Sequence, residues 1–142
     1  MANRHLLRTI ALQSLFEWDF HNRQGNVDEI LDRVTKEFAP TSEGNEFARE
    51  LLTGVISKID EIDEVIVKHA PEWPIEQITI IDRNVLRLGI FELMFQKDTP
   101  AKVSINEAVE MGKRFGGESS GKFVNGVLGA LYKELPDEAK QD

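Results

Sequence analysis

Residues 101–131, AKVSINEAVEMGKRFGGESSGKFVNGVLGAL, read as two helices joined by a tight polar turn. Ile105, Ala108, Val109 and Gly112 recur at i, i+3, i+4 and i+7, which puts them on one helical face. Ser104-Ile105-Asn106-Glu107 has the form of a capping box and predicts a helix start. Gly116-Gly117 predicts the helix end, because glycine accepts left-handed backbone cheaply. Ser119 or Ser120 is expected to cap the next helix, with Phe123, Val124, Val127, Leu128 and Leu131 as its apolar positions. The turn also satisfies G-x-x-x-x-G-K from Gly116 to Lys122, the outline of a phosphate loop. Such a loop needs Ser or Thr next, for magnesium, and a strand before it. Here Phe123 follows and a helix precedes, so nucleotide hydrolysis is not expected.

Working back along the chain, Thr79-Ile80-Ile81-Asp82 predicts a cap opening a helix to about Gln96. This helix is apolar around most of its girth, with Asp82, Arg83 and Arg87 as a narrow polar strip, the pattern of a central buried helix. Ala70-Pro71-Glu72-Trp73-Pro74 is a rigid linker, since each proline restricts its own φ and the residue before it. It is the expected border between two sub-bundles. Before it, Phe47, Leu51, Val55, Ile59, Ile62 and Ile66 predict one long helix over about 45–69. Its outer face, Asp60, Glu61, Asp63 and Glu64, lacks the alternating spacing and glycine of a calcium loop and reads as solvated. A short amphipathic helix is expected over 27–38, broken by Ala39-Pro40-Thr41-Ser42. The first helix, about 3–22, carries the stripe Leu7, Ile10, Ala11, Leu15 and Trp18. No run alternates like a strand. The expectation is one all-α domain over 1–142: two small helical sub-bundles packed together, about 1–70 and 75–134, and an acidic tail over 135–142.

The 142 residues are 41 % hydrophobic and 30 % charged, with no cysteine and a net charge of −8. Disulfides and thiolate metal sites are excluded, and the composition suits a cytoplasmic location. No stretch approaches the roughly 20 apolar residues of a membrane span. His5, His21 and His69 have no zinc spacing, so neither metal nor cofactor is expected. No G-x-S-x-G elbow supports a nucleophile, and the chain reads as a non-enzyme. Charge is unevenly placed. Residues 25–70 carry five basic and eleven acidic side chains, whereas residues 99–133 carry five basic and three acidic. Arg4, His5 and Arg8 cluster at the start of the first helix, where cations oppose the helix dipole. They read equally as a ligand site or as solvated cations. Lys122-Phe123 at a helix start offers a cation, an aromatic face and backbone N–H groups, as RNA recognition requires. Phe123 taken alone reads as core.

The runs RTIALQSLFEW, DRNVLRLGIFEL and KVSINEAVEMGKRFGGESSGKFVNGVLGAL, in that order, resemble the NusB family of bacterial transcription antitermination factors. The resemblance covers nearly the whole chain. It implies an RNA-binding protein that recognises the boxA element of ribosomal RNA leader transcripts. It implies a heterodimer with NusE, a small-subunit ribosomal protein, and indirect engagement of other antitermination factors and RNA polymerase. Matching RNA-binding positions are Arg4, His5, Arg8, Phe16, Arg87, Lys122 and Phe123. Matching partner-binding positions are Phe16, Asp82 and Arg83. The alternative is a protein-only helical scaffold or homodimer with little intrinsic RNA binding. The first helix is poorer in arginine than in many relatives, with Leu6 and Leu7 where basic residues can stand, and Ser119 stands where some carry an acid.

Overall fold

A computed structural model describes residues 3–40 and 44–136. Seven α-helices and one 3-10 turn, with no strand, occur among the described residues: α1 (Arg4–Phe20), α2 (Val27–Phe38), α3 (Glu46–Ser57), α4 (Ile59–His69), the turn Ile75–Gln77, α5 (Ile80–Met94), α6 (Ala101–Gly116) and α7 (Glu118–Glu134). The all-α expectation holds. Thr41 and Ser42 of the expected break, and residues 137–142 of the expected tail, lie outside the described residues.

The chain divides into two compact units, Met1–Ser57 and Lys58–Asp142. In the first, α1 packs on α2 and α3. Asn3 starts α1, its Oδ1 accepting from the backbone N–H of His5 and Leu6. Asn26 starts α2 in the same way, accepting from Glu29 N–H at 3.0 Å. Leu7, Ile10, Leu15, Leu31, Leu51 and Val55 are buried apolar side chains of this unit. In the second, α5 packs against α4, α6 and α7, and α6 lies along α7. Thr79 caps α5 as expected, its Oγ1 accepting from Asp82 N–H at 3.1 Å.

Three local readings change. The long helix over 45–69 is two helices that meet at Lys58, where φ is −114° and ψ 17°. The Ser57 hydroxyl donates back to the Gly54 carbonyl, while Asp60 and Glu61 occupy the first turn of α4, where acids suit a helix N-terminus. Apolar spacing persists across the break, so periodicity alone could not reveal it. The unit border therefore falls at Lys58 rather than at the Ala70–Pro74 linker, because α4 packs on α5 and α7.

The second change concerns the capping box. α6 starts a turn earlier, after Pro100, and Ser104 is buried inside it. Its hydroxyl donates to Glu92 Oε1 on α5 at 3.1 Å. Pro100 opens the helix because φ near −60° is built into its ring and it has no N–H to lose. The third is the α6–α7 turn, which is the single residue Gly117, with φ 93° and ψ 179°. Essentially only glycine adopts that conformation, and neither Ser119 nor Ser120 caps α7.

Candidate nucleic-acid interface

Two surfaces hold the expected site residues, one on each unit. On the first unit, Arg4 and Arg8 lie one helical turn apart on α1 and point at the same ring. The Arg4 guanidinium sits 4.2 Å and that of Arg8 5.2 Å from the centroid of Phe47 on α3. This is cation–π geometry. Arg4 and His5 are exposed, but Arg8 is only 2 % exposed. Arg8 is thus placed as a buried cation whose packing orders the patch, not as a group facing solvent.

Phe16 stands twelve residues beyond Arg4, roughly 18 Å along the axis of α1. It is half-buried and belongs to a different patch. Its ring stacks on Phe20, with centroids 5.9 Å apart and planes 7° apart, and Phe20 meets His21 edge-on. Phe20 is 59 % exposed. With Val34 and Phe38 of α2 these rings form the apolar part of a shallow groove that Gln13, Glu17, His21 and Glu37 also line. Glu17 on its edge is hydrogen-bonded to Arg33, which holds the Glu17 carboxyl below its usual range.

On the second unit, α7 begins abruptly after Gly117, so its first-turn N–H groups have no side-chain cap. Lys122 is exposed, and Phe123 is half-buried. Phe123 and Ser119 are one turn apart on α7 and line a groove of about 240 Å³ with Trp73, Ile78 and Asp82. Gly121 packs against the aliphatic stem of Lys113 on α6. Lys113, Arg114 and Lys122 are therefore exposed cations around the α6–α7 junction, with Glu118 as the acid of α7's first turn. Lys113 also pairs with Glu110 at 3.7 Å, a weak exposed contact. Gly121 and Lys122, which complete the G-x-x-x-x-G-K pattern, are helical residues, and Gly121 is packed on α6.

Arg87 is elsewhere. It is 2 % exposed, and its guanidinium binds Asp63 of α4 through Nε at 2.8 Å and Nη2 at 2.9 Å. Nη1 donates to Asn84 Oδ1 at 2.9 Å. Of the polar strip of α5, Arg87 is thus held in a buried ion pair, and one residue of the expected solvated acidic face, Asp63, is its acceptor. An arginine used this way is not available to a phosphate. Asp82 lies at the groove, whereas Arg83 is half-buried and reaches back toward the Ile78 carbonyl. Sequence reading missed Phe47, Phe20 and Trp73. Trp73 carried a usable signal: a large aromatic in a proline-rich linker has no helical face to join.

Fold and surfaces define an all-α module that exposes cations and aromatic rings. Residues 5–133 match the model of the NusB family, and the chain belongs to that family. It is 60 % identical over 135 residues to the transcription antitermination protein NusB of Myxococcus xanthus, covering 90 % of this chain and 93 % of that one. A solved structure of T. maritima NusB has a TM-score of 0.87 at 36 % identity, covering 97 % and 96 % of the two chains. A crystal structure of antitermination factors NusB and NusE in complex with dsRNA has a TM-score of 0.83 at 34 % identity, covering 93 % and 97 %.

Proposed function

We propose that this chain is a non-catalytic RNA-binding adaptor of transcription antitermination in the cytoplasm. It recognises the boxA element of ribosomal RNA leader transcripts together with NusE and nucleates a complex on RNA polymerase. The observation that carries this reading is the exposed Lys122 beside the Phe123 groove, at an uncapped helix start within a rim of cations. Cations and free N–H groups hold phosphates, and aromatic faces hold unstacked bases. The likeness to NusB proteins, one of them crystallised with NusE and dsRNA, supports the same reading. Arg4 and His5 are its phosphate-facing groups on the first unit, with Arg8 behind them. Phe16 and Phe20 form its protein-docking face, because an exposed ring stack flanked by apolar side chains suits a protein partner.

Fluorescence anisotropy with labelled boxA RNA and a scrambled control, each with and without NusE, tests the proposal. Lys122→Glu is expected to weaken boxA binding by about tenfold and to lower the salt slope by about one. Its melting temperature should stay close to wild type, because the side chain is exposed. Unaltered affinity would remove Lys122 from the interface. Binding of NusE without preference for boxA over scrambled RNA would favour a protein-only scaffold instead.

A further inference from the structure

The end of α7 is tied to the end of α4 through one histidine. His69 is the last residue of α4, and its side chain is only 5 % exposed. Each of its two ring nitrogens meets an oxygen. Nδ1 lies 2.8 Å from the Val65 carbonyl, one turn back on α4. Nε2 lies 2.7 Å from Oε2 of Glu134, the last residue of α7. A carbonyl has no proton to give, and neither has an ionised carboxylate. Neutral imidazole has one N–H, so in either tautomer it leaves one bare nitrogen facing a bare oxygen. Only the charged ring donates to both. The hydrogen bond to His69 first, and that to Lys68 second, hold the Glu134 carboxyl below its ordinary value, which keeps it ionised near neutral pH. The position also suits a cation, since the C-terminal end of a helix carries the negative pole of its dipole.

We propose that His69 and Glu134 form a protonation-dependent clasp: the charged ring fastens the last turn of α7 to the end of α4, and loss of the ring's proton releases that turn. The inference does not rest on the RNA-binding reading. Of the two sides, α7 is the one that yields. The ring is buried on α4, whereas the Glu134 side chain is 48 % exposed and belongs to a last turn, where the helix has no further N–H groups to offer its carbonyls. Lys68 reaches Glu134 at 3.2 Å, but its side chain is 69 % exposed, and such a contact adds little in water. It therefore does not replace the ring. Other charges sit around the clasp. Lys133 on α7 and Glu72 in the linker are exposed. The two further elements packed on α4 are α5, with Asp82, Arg83, Arg87 and Glu92, and the 3-10 turn, with Glu76. Among the described residues the ring is bonded to Val65 and Glu134 and to none of these.

The test uses the full chain and reads amide hydrogen exchange, expressed as protection relative to an unstructured peptide at the same pH. In wild type the amides of Leu131–Glu134 should be about fivefold better protected at about pH 6 than at about pH 9, on either side of the ordinary imidazole range. Amides of α1 should keep the same protection at both. In His69→Gln the side-chain amide donates to Glu134 at every pH, so the dependence should vanish. Ring-nitrogen NMR supplies a second measurement. The charged pattern of His69, with both nitrogens protonated, should persist to higher pH in wild type than in Glu134→Gln, whose amide can donate to a bare nitrogen and so favours the neutral ring. Equal protection of the last turn of α7 at the two pH values would overturn the inference. So would a loss of protection shared with α1, which would mark global opening, or a pH dependence that survives in His69→Gln. The exchange comparison between two pH values needs no variant, so a folding defect in His69→Gln cannot mask the answer.

Discussion

The buried face of α5 and the rim of the α6–α7 junction are built from the same residue types and do opposite things. On α5, Arg87 lies inside the second unit, satisfied by Asp63 and Asn84. At the junction, Lys113, Arg114 and Lys122 are exposed. A buried guanidinium is costly unless it is paired and hydrogen-bonded, so its site is as specific as a packed side chain. An exposed ammonium adds little to stability and remains available to a ligand. Both regions look alike in one dimension, as cations on helices with apolar neighbours. Burial separates a cation that holds the fold from one that can hold a phosphate.

The sharpest way to break the comparison is on the α5 side. Asp63→Ala leaves Arg87 buried without its carboxylate partner and is expected to cost about 3–5 kcal/mol in urea unfolding. Asp63→Ala combined with Arg87→Met should recover much of that loss, since an apolar pair replaces an orphaned charge. If the single variant loses less than the exposed Lys122→Glu variant, Arg87 is not held as described.

On the junction side, Gly117→Ala tests the one-residue link. Open space surrounds the position a Cβ would occupy, so no clash contributes. The loss, about 1–3 kcal/mol, would come from backbone conformation alone. Thermal unfolding measures it, and RNA binding per folded molecule should fall too, because the link sets where Lys122 and Phe123 begin α7.

The smallest effect lies where α7 ends. Glu134 accepts from His69 at 2.7 Å and from Lys68 at 3.2 Å, both on α4. The hydrogen bond to His69, then that to Lys68, holds the Glu134 carboxyl below its ordinary 4.5. Such a group contributes stability that is fully present above the unfolded value and is lost as pH falls through the lower folded value. The melting-temperature gap between wild type and Glu134→Gln should be small at pH 7. It should close as pH drops below about 4.5. A gap that widens with acid would contradict the sign.

Much of the helical architecture was legible because burial imposes a 3.6-residue period on the chain. α1, α2, α5 and α7 could be found from their apolar faces, and the Thr79 cap from its residue type. Two boundaries were not. Ser104 looked like a cap because Ser-x-x-Glu has the right spacing, but its hydroxyl bonds Glu92 on another helix. Lys58 looked helical because the apolar stripe runs through it. Of the candidate site, Lys122 and Phe123 could be singled out by type and position, and the structure leaves Lys122 exposed and puts Phe123 in a groove wall. Arg87 was misread because nothing local shows that Asp63, on another helix, meets it. Trp73 was passed over because a linker has no period to violate.

By itself the sequence determined that this protein is all-α, that the Gly116-Gly117 pair ends one helix, and which family it resembles. Each of these rests on local backbone preference or on the order of residues along the chain. The tertiary structure alone decided that Arg8 and Arg87 are inside, that Arg4 and Arg8 share one ring, and that Trp73, Asp82 and Phe123 line one groove. Those facts depend on which side chains lose contact with water when helices distant in sequence pack. Desolvation is a property of the packed arrangement, and no window along the chain contains it.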